Sequence, residues 1–249
     1  MIWNRRKKEC LIIPSRGEIA NYLLIRSFPY FLVGAFLLSI VNEFIAFMGS
    51  IGLLTYILYQ VNSKPASDFF EIKITEDEVF ISAREWRVGI IPQSRVTVRG
   101  KIDFSSCFML KKEKWLNTKE IFLFFKNSNQ EVVKINGNYM SSLEKAYNEI
   151  QKKMIEMLLE KGKQILSETD QILDFSAIQL SKELVYIYGA GYRWEEVRIN
   201  ISESELLGSQ IEVLFNSHNQ RMKNVLFDEI VNTKLCLQLL KWKLQENLK

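Results

Sequence analysis

Apolar and polar residues follow three different rhythms along this chain, and each predicts a different kind of element. The first is an almost unbroken apolar block. Ser27–Val61 reads SFPYFLVGAFLLSIV, then Asn42-Glu43, then FIAFMGSIGLLTYILYQV, and Glu43 is its only charged residue. Residues 27–42 are a charge-free run of 16 and residues 44–63 one of 20. A single helix over residues 27–61 would be about 52 Å long at 1.5 Å per residue, well beyond a hydrocarbon core of about 30 Å. Two helices reversing near Asn42-Glu43 fit better, the first lengthened by Tyr22–Ile25 with Arg26 snorkelling to the interface. Pro29 suits a first helical turn. A hairpin buried in a soluble core is the alternative, and the length of the block disfavours it.

Behind the linker Lys64-Pro65-Ala66-Ser67 the period becomes two. Phe70–Thr75 (FEIKIT) alternates, Glu76-Asp77 marks a turn, and Val79–Ser82 (VFIS) resumes, which is a β-hairpin signature. Trp86–Ile91, Arg95–Phe104, Cys107–Leu110, Ile121–Phe125 and Val132–Ile135 continue a series of short strands, with Asn127-Ser128-Asn129 as the turn between the last two. The third rhythm begins at Ser141. Leu143, Tyr147, Ile150, Met154 and Leu158 recur at three- and four-residue steps and form one stripe of an amphipathic helix. Ser141 or Ser142 is the expected cap, with Glu144 in the first turn.

The programme of strands and then a helix recurs. Ala177–Ile187 (AIQLSKELVYI) aligns without a gap on Glu71–Ile81 (EIKITEDEVFI), 106 positions earlier, so Ile178, Leu180, Val185, Tyr186 and Ile187 fall on Ile72, Ile74, Val79, Phe80 and Ile81. Ile211–Gln220 (IEVLFNSHNQ) matches Ile121–Gln130 (IFLFFKNSNQ) at an offset of 90. A closing helix over Thr233–Leu248 carries Leu237, Leu240, Leu244 and Leu248 on one stripe. Offsets differing by 16 imply that the second copy lacks about one β-hairpin, around the equivalent of Arg95–Trp115. The expected fold is therefore α+β: an N-terminal two-helix transmembrane hairpin followed by tandem β-rich units, each closed by a helix, the second shortened. Residues 1–26 form a basic lead-in, 27–61 the hairpin, 67–166 the first unit and 172–249 the second.

Charge orients the block. Arg5, Arg6, Lys7, Lys8, Arg16 and Arg26 precede it against only Glu9 and Glu18, and Lys64 and Lys73 follow it. By the positive-inside rule both ends face the cytoplasm, which predicts a multi-pass protein of the cell (inner) membrane with cytoplasmic termini. A secretory signal fits less well, because the block is long, lacks a small-x-small cleavage site and is followed by a second apolar segment. Beyond residue 64 the charges of both signs are interspersed, and the formal net charge is only +4, unlike the concentrated basic face of a nucleic-acid binder. Cys10, Cys107 and Cys236 are far apart and outside any CxxC spacing, so they read as isolated thiols in a reducing compartment. His218 is the only histidine, which leaves a Ser-His-Asp or zinc site poorly supplied. No catalytic residue, metal or cofactor is expected.

The membrane hairpin, the E-I-x-I-T-x-x-x-V-x-I opening within Phe70–Ile81, Trp86–Ile91 and the helix Ser141–Leu159 together resemble the bacterial membrane-anchored PH-like domain proteins of the YcxB or YdbS type. Tyr192–Val197 (YRWEEV), followed by Ile199 and Ile201, resembles the entry into the third strand of these domains. In the first copy the comparable place, Gly89–Val96, has its aromatic displaced. The resemblance covers most of Ser27–Leu248. It implies a seven-stranded, partly open β-barrel plugged by a C-terminal helix, a scaffold for binding that brings no catalytic residues and no particular ligand.

Two sets of residues are candidates for contacts. Lys111, Lys112 and Lys114 beside Trp115, expected on a loop, suit an anionic membrane surface at about 1 kcal/mol per well-placed cation. A solvated loop whose tryptophan covers the barrel end is the plainer reading. Trp86, Arg193 and Trp194 are candidates for a partner-binding edge, although strand aromatics more often pack in a core. Gly189-Ala190-Gly191 lacks the rest of a dinucleotide fingerprint and sits between strand patterns, so it reads as a turn. Glu195-Glu196 between Arg193 and Arg198 reads as alternating charge on a solvated face, and Glu43 as a wetted turn. The expected role is a membrane-anchored cytoplasmic binding or scaffold module, held in lipid by 27–61, that recruits or senses a protein partner by strand addition or through a groove, without catalysis. The alternative is an immunity or resistance protein whose hairpin meets a membrane-active peptide or toxin.

Overall fold

The structure is a computed structural model that describes residues 2–4, 9–87, 91–115, 118–136, 141–204, 208–215 and 223–247. It is an α+β fold of antiparallel sheets and helices. The chain divides into two compact units, Met1–Lys101 with Leu110–Tyr147, and Ile102–Met109 with Asn148–Lys249.

Unit 1 opens on strands β1 (Ile2–Asn4) and β2 (Glu9–Ile12), within the segment that charge alone marks as a basic lead-in. Helices α1 (Arg16–Val41) and α2 (Glu43–Ser63) follow, then a 3-10 turn at Ala66–Asp68, and strands β3 (Phe70–Ile74), β4 (Glu78–Arg87) and β5 (Ile91–Lys101). The five strands form one sheet in the order β1-β2-β3-β4-β5. Neighbours β2 and β3 are thus separated in sequence by both helices, and their register pairs Cys10 with Ile74, Leu11 with Lys73 and Ile12 with Ile72. Period-two alternation puts Cys10, Ile12, Ile72, Ile74, Val79 and Ile81 among the buried residues. Each such aliphatic side chain contributes roughly 1.5–3 kcal/mol relative to exposure.

A second sheet joins β6 (Cys107–Trp115), β7 (Thr118–Lys126) and β8 (Val132–Asn136), with β8 lying beside β4 and β5. Asn127 closes the β7–β8 turn by accepting from the Glu131 N–H at 2.9 Å and donating to the Arg99 carbonyl at 2.8 Å, which ties the turn to β5. Gly100 permits that approach: a Cβ there would stand 2.7 Å from the Asn127 Cβ and 2.9 Å from the Phe125 ring.

In unit 2, the larger part of α3 (Ser141–Glu168) is followed by strands β9 (Leu173–Asp174), β10 (Ile178–Leu180), β11 (Leu184–Ile187) and β12 (Ala190–Arg193), which make one sheet. A 3-10 turn at Trp194–Glu196 leads to a sheet of β13 (Val197–Ser204), β14 (Gly208–Phe215) and β15 (Lys223–Leu226), and the chain ends in α4 (Thr233–Asn247). Ile150, Met154 and Leu158 of α3 are buried with Leu235, Leu239 and Leu240 of α4. The two helices pack closely where Gly162 faces Leu239, since a Cβ at 162 would come within 2.9 Å of it. Asn232, at φ 51°, takes the Phe108 N–H on its side chain at 2.9 Å and donates to the Ser106 carbonyl at 2.7 Å. Its own N–H reaches the Phe108 carbonyl at 2.9 Å, so one buried residue fastens the start of β6 to the start of α4.

The internal repeat is visible in the register. Ile72 pairs with Ile81 and Ile74 with Val79; at an offset of 106, Ile178 pairs with Ile187 and Leu180 with Val185. The turns match as well. The Thr75 hydroxyl accepts from the Glu78 N–H at 3.1 Å, and the Ser181 hydroxyl from the Leu184 N–H at 3.0 Å. Both copies then run as two three-stranded meanders and a helix, β3–β5, β6–β8 and α3 against β10–β12, β13–β15 and α4.

Two expectations change. The second copy lacks no hairpin. Its β11–β12 hairpin covers 184–193 where β4–β5 covers 78–101, a difference of 14 residues, and the link to the next strand is 194–196 rather than 102–106, a further two. Those differences account for the 16 positions between the two offsets. The helix expected to close the first unit also gives it only residues 141–147, and the rest of α3 belongs to unit 2. An apolar stripe shows which face of a helix is buried and not what covers it. The four sheets are open, and none closes on itself among the described residues.

Candidate functional site

The feature that sets this chain apart is the helical excursion between β2 and β3. A 26-residue α1 and a 21-residue α2 are about 39 and 32 Å long. Only Asn42 separates them. It is extended at φ −168°, and its side chain accepts from the Phe44 N–H at 2.8 Å, which caps α2. Because Ile12 pairs with Ile72, the start of α1 and the end of α2 return to one place, so the helices run out and back. The reversal at Asn42-Glu43 is where the sequence places it.

α2 is long and apolar enough to cross a membrane. α1 is bent by 45° between 16–25 and 27–37. Pro29 removes the N–H that would bond the Ile25 carbonyl, and the Ser27 hydroxyl donates to the Leu23 carbonyl at 2.6 Å, a pairing that bends helices. The bend also separates two environments. Below it Ile19, Tyr22 and Leu23 are buried, as is Ser27 at the bend, and Ile57, Gln60 and Val61 of α2 are buried at the same base. Beyond it Phe36, Ile40 and Phe44 are 67, 69 and 69% exposed, and Leu32, Val33, Leu37, Phe47 and Leu54 are exposed too. Only 17% of the most apolar stretch of α2 is buried, which separates it from a core helix of a soluble fold. A patch of this size calls for lipid or a partner.

The base is held by Glu18. Its Oε2 accepts from the Ser15 N–H at 2.8 Å, while the Ser15 hydroxyl accepts from the Glu18 N–H at 3.2 Å, a capping box at the start of α1. Its Oε1 accepts from the Ser142 N–H at 2.8 Å and the Ser141 hydroxyl at 3.0 Å, so the same carboxylate caps α3. Partial burial pushes its pKa upward, but these hydrogen bonds outweigh that and hold it below the usual glutamate value. In sequence, Ser15-x-x-Glu18 before an apolar run is a legible cap signal, whereas its bridge to α3 is not.

The residues singled out from sequence lie on separate elements. Lys111, Lys112, Lys114 and Trp115 lie on strand β6 rather than a loop, and their side chains are outside the described residues. Trp86 lies on β4 opposite Pro92, just past a bulge between Arg84 and Trp86; its side chain is likewise outside the described residues. Arg193 is exposed at the end of β12. Trp194 is 4% exposed and its indole N–H donates to the Ser181 carbonyl at 3.1 Å, so it packs against the repeat's conserved-geometry turn from within. Gly189 lies in a two-residue turn, with Tyr188 and Gly189 at φ 49° and 79° between the paired Ile187 and Ala190. Burial pushes the Cys236 thiol far up, out of reach of a thiolate role. Among the described residues, no group of three His, Cys, Asp or Glu is placed to hold a metal ion.

No family model, curated protein or solved structure matches the chain.

Proposed function

We propose that this protein is a membrane-anchored binding module. Helices α1 and α2 cross the inner membrane as a hairpin, and the sheets form a cytoplasmic scaffold that recruits or senses a protein partner. The observation that carries the reading is the exposed apolar hairpin inserted between two hydrogen-bonded strands. If the helices cross a bilayer, the β2–β3 pairing requires both of their ends to lie on one face of it. The basic residues flanking the block then assign that face to the cytoplasm. A repeated order of elements, β3–β5, β6–β8 and α3 followed by β10–β12, β13–β15 and α4, supports reading the sheets as a binding scaffold built twice. Such scaffolds bind through open sheet edges, and a membrane tether raises the local concentration of partners on the same surface. No reaction is assigned.

Crosslinking of the full-length protein in native membranes, followed by detergent extraction and pull-down, tests the reading. A defined protein recovered in proportion to the bait, and lost when the sheet edge at Arg193 is changed to proline, supports recruitment. Recovery of the bait alone from alkaline-washed membranes contradicts it, and release of the bait by the alkaline wash contradicts the anchor itself.

A further inference from the structure

The two legs of the helical hairpin become buried at the same level. Among the described residues, none from 28 to 56 is buried. Burial begins at Ser27 on α1 and Ile57 on α2, each 15 positions from Asn42, and continues through Leu23, Tyr22 and Ile19 on one leg and Gln60 and Val61 on the other. Below that level the protein covers its own helices, and above it something else must. Each leg therefore offers 14 residues, 28–41 and 43–56, a reach of about 21 Å at 1.5 Å per residue. One flank of α2 stays exposed as far as Tyr59, which extends the reach to about 26 Å. Both lengths fall short of a hydrocarbon core of about 30 Å.

The two ends of this stretch carry different side chains. Tyr30, Tyr56 and Tyr59 are exposed at its base, 12, 14 and 17 positions from Asn42, so they fall within about 8 Å of one another along the helix axes. Exposed tyrosines at the edge of an apolar stretch mark a headgroup layer. From 31 to 55 there is no Tyr, Trp, Lys or Arg, and the far end carries only Asn42 and Glu43 as its polar tip. That tip cannot make up the shortfall. Tilting the helices only shortens their reach. Lysine and arginine bridge such gaps by snorkelling on long stems, whereas the stem of Glu43 is short. An ionised carboxylate is also costly to leave in hydrocarbon. What yields is the bilayer, which thins around an apolar stretch shorter than itself.

We propose that the hairpin is matched to a thin hydrocarbon layer of about 21–26 Å, supplied by short-chain phospholipid or by thinning of the bilayer around it. Tyr30, Tyr56 and Tyr59 sit in the headgroup layer on the side of the sheets, and Asn42-Glu43 reaches the opposite one. The inference rests on the membrane reading of the helices. Its test uses full-length protein carrying Cys107→Ser and either Glu43→Cys or Phe36→Cys, labelled with an environment-sensitive nitrobenzoxadiazole probe; Cys10 and Cys236 are buried. The labelled protein is reconstituted in phosphatidylcholine and phosphatidylglycerol vesicles with dimyristoleoyl, dioleoyl or dierucoyl chains. In the short-chain vesicles, emission at 43 should be water-like and quenched by iodide present on both sides. In the long-chain vesicles it should shift to the blue, with a several-fold loss of iodide quenching. Position 36 should report an apolar setting and be quenched by acyl-spin-labelled lipid. Entry into the short-chain vesicles alone, seen as water-like emission at 36 in the long-chain ones, supports the match as well. The same emission at 43 in all three lipids, with 36 apolar, overturns it and leaves the anchor standing. An apolar position 36 that spin-labelled lipid does not quench overturns it in favour of a second copy covering the legs. Water-like emission at 36 in every vesicle overturns the membrane reading and this inference with it.

Discussion

The two copies of the repeat differ at one end of their first sheet and agree at the other. At the agreeing end, Thr75 and Ser181 close the same turn with the same bonds, above the same aliphatic pairs. At the differing end, the second copy joins β9 to β10 through residues 175–177, while the first joins β2 to β3 through 13–69 with both helices inside that connection. The β4–β5 hairpin is longer by 14 residues at that same end. Additions gathered at one end of a shared scaffold indicate a surface specialised in one copy only. The turn end is what the fold needs, and the helix end is what the membrane reading uses.

Helix capping extends the comparison. The second residue of α3, Ser142, gives its N–H to Glu18 of α1, and the second residue of α4, Lys234, gives its N–H to Gln151 of α3 at 3.1 Å. In each copy an earlier helix supplies the acceptor. In the first it is charged and in the second neutral.

The largest expected effect comes from making the first copy resemble the second. Replacing residues 16–63 by a short glycine-serine link should convert a protein that needs detergent into one that stays in the supernatant and retains a β-rich circular dichroism spectrum. Sedimentation with membranes despite the excision would place the membrane contact elsewhere. Next comes Asn232→Ala, which leaves the Phe108 N–H and Ser106 carbonyl without their partner inside unit 2 and puts alanine at φ 51°. Unfilled buried groups cost about 1–3 kcal/mol each, so a loss of about 3 kcal/mol in urea unfolding is expected. Thr75→Ala and Ser181→Ala should each cost about 1 kcal/mol, because each removes the same turn bonds. Clearly unequal losses in the two would break the equivalence of the copies.

The smallest effect concerns acid. Glu18 has its folded pKa depressed, so its contribution is fully present above the unfolded glutamate value and is lost as pH falls through the lower folded value. The Gln151 cap does not titrate. Glu18→Gln should therefore lower stability at pH 7, where the ionised carboxylate contributes fully and accepts on both oxygens, and should flatten the acid limb of a stability-versus-pH curve. An unchanged acid limb would remove Glu18 as its source.

Much of this was legible in the sequence because burial imposes a period. The apolar block, its reversal at Asn42-Glu43, the β3–β4 hairpin and its repeat at β10–β11 all follow from patterns within a dozen residues or so. What escaped depends on distant pairing. Strand β2 is four residues long beside a basic cluster, too short to carry a period-two signal, and its partner lies beyond two helices. Offsets of 106 and 90 report how many residues are missing but not where, so a shorter hairpin and a lost hairpin look alike. The Lys111–Trp115 stretch reads as loop by composition, yet its backbone is held in β6 by its sheet neighbour β7. Asn232 belongs to no motif, and its role rests on bonds to residues more than 120 positions away.

The central claim is that the hairpin crosses a bilayer and returns to the side it left. Single cysteines at Ser15, Glu43 and Lys64, each in a Cys107→Ser background, report it through a membrane-impermeant maleimide applied to spheroplasts and then to inside-out vesicles. Position 43 should label in spheroplasts, and positions 15 and 64 only in inside-out vesicles. Labelling of 15 and 64 from opposite sides, or of all three from one side, would contradict the account.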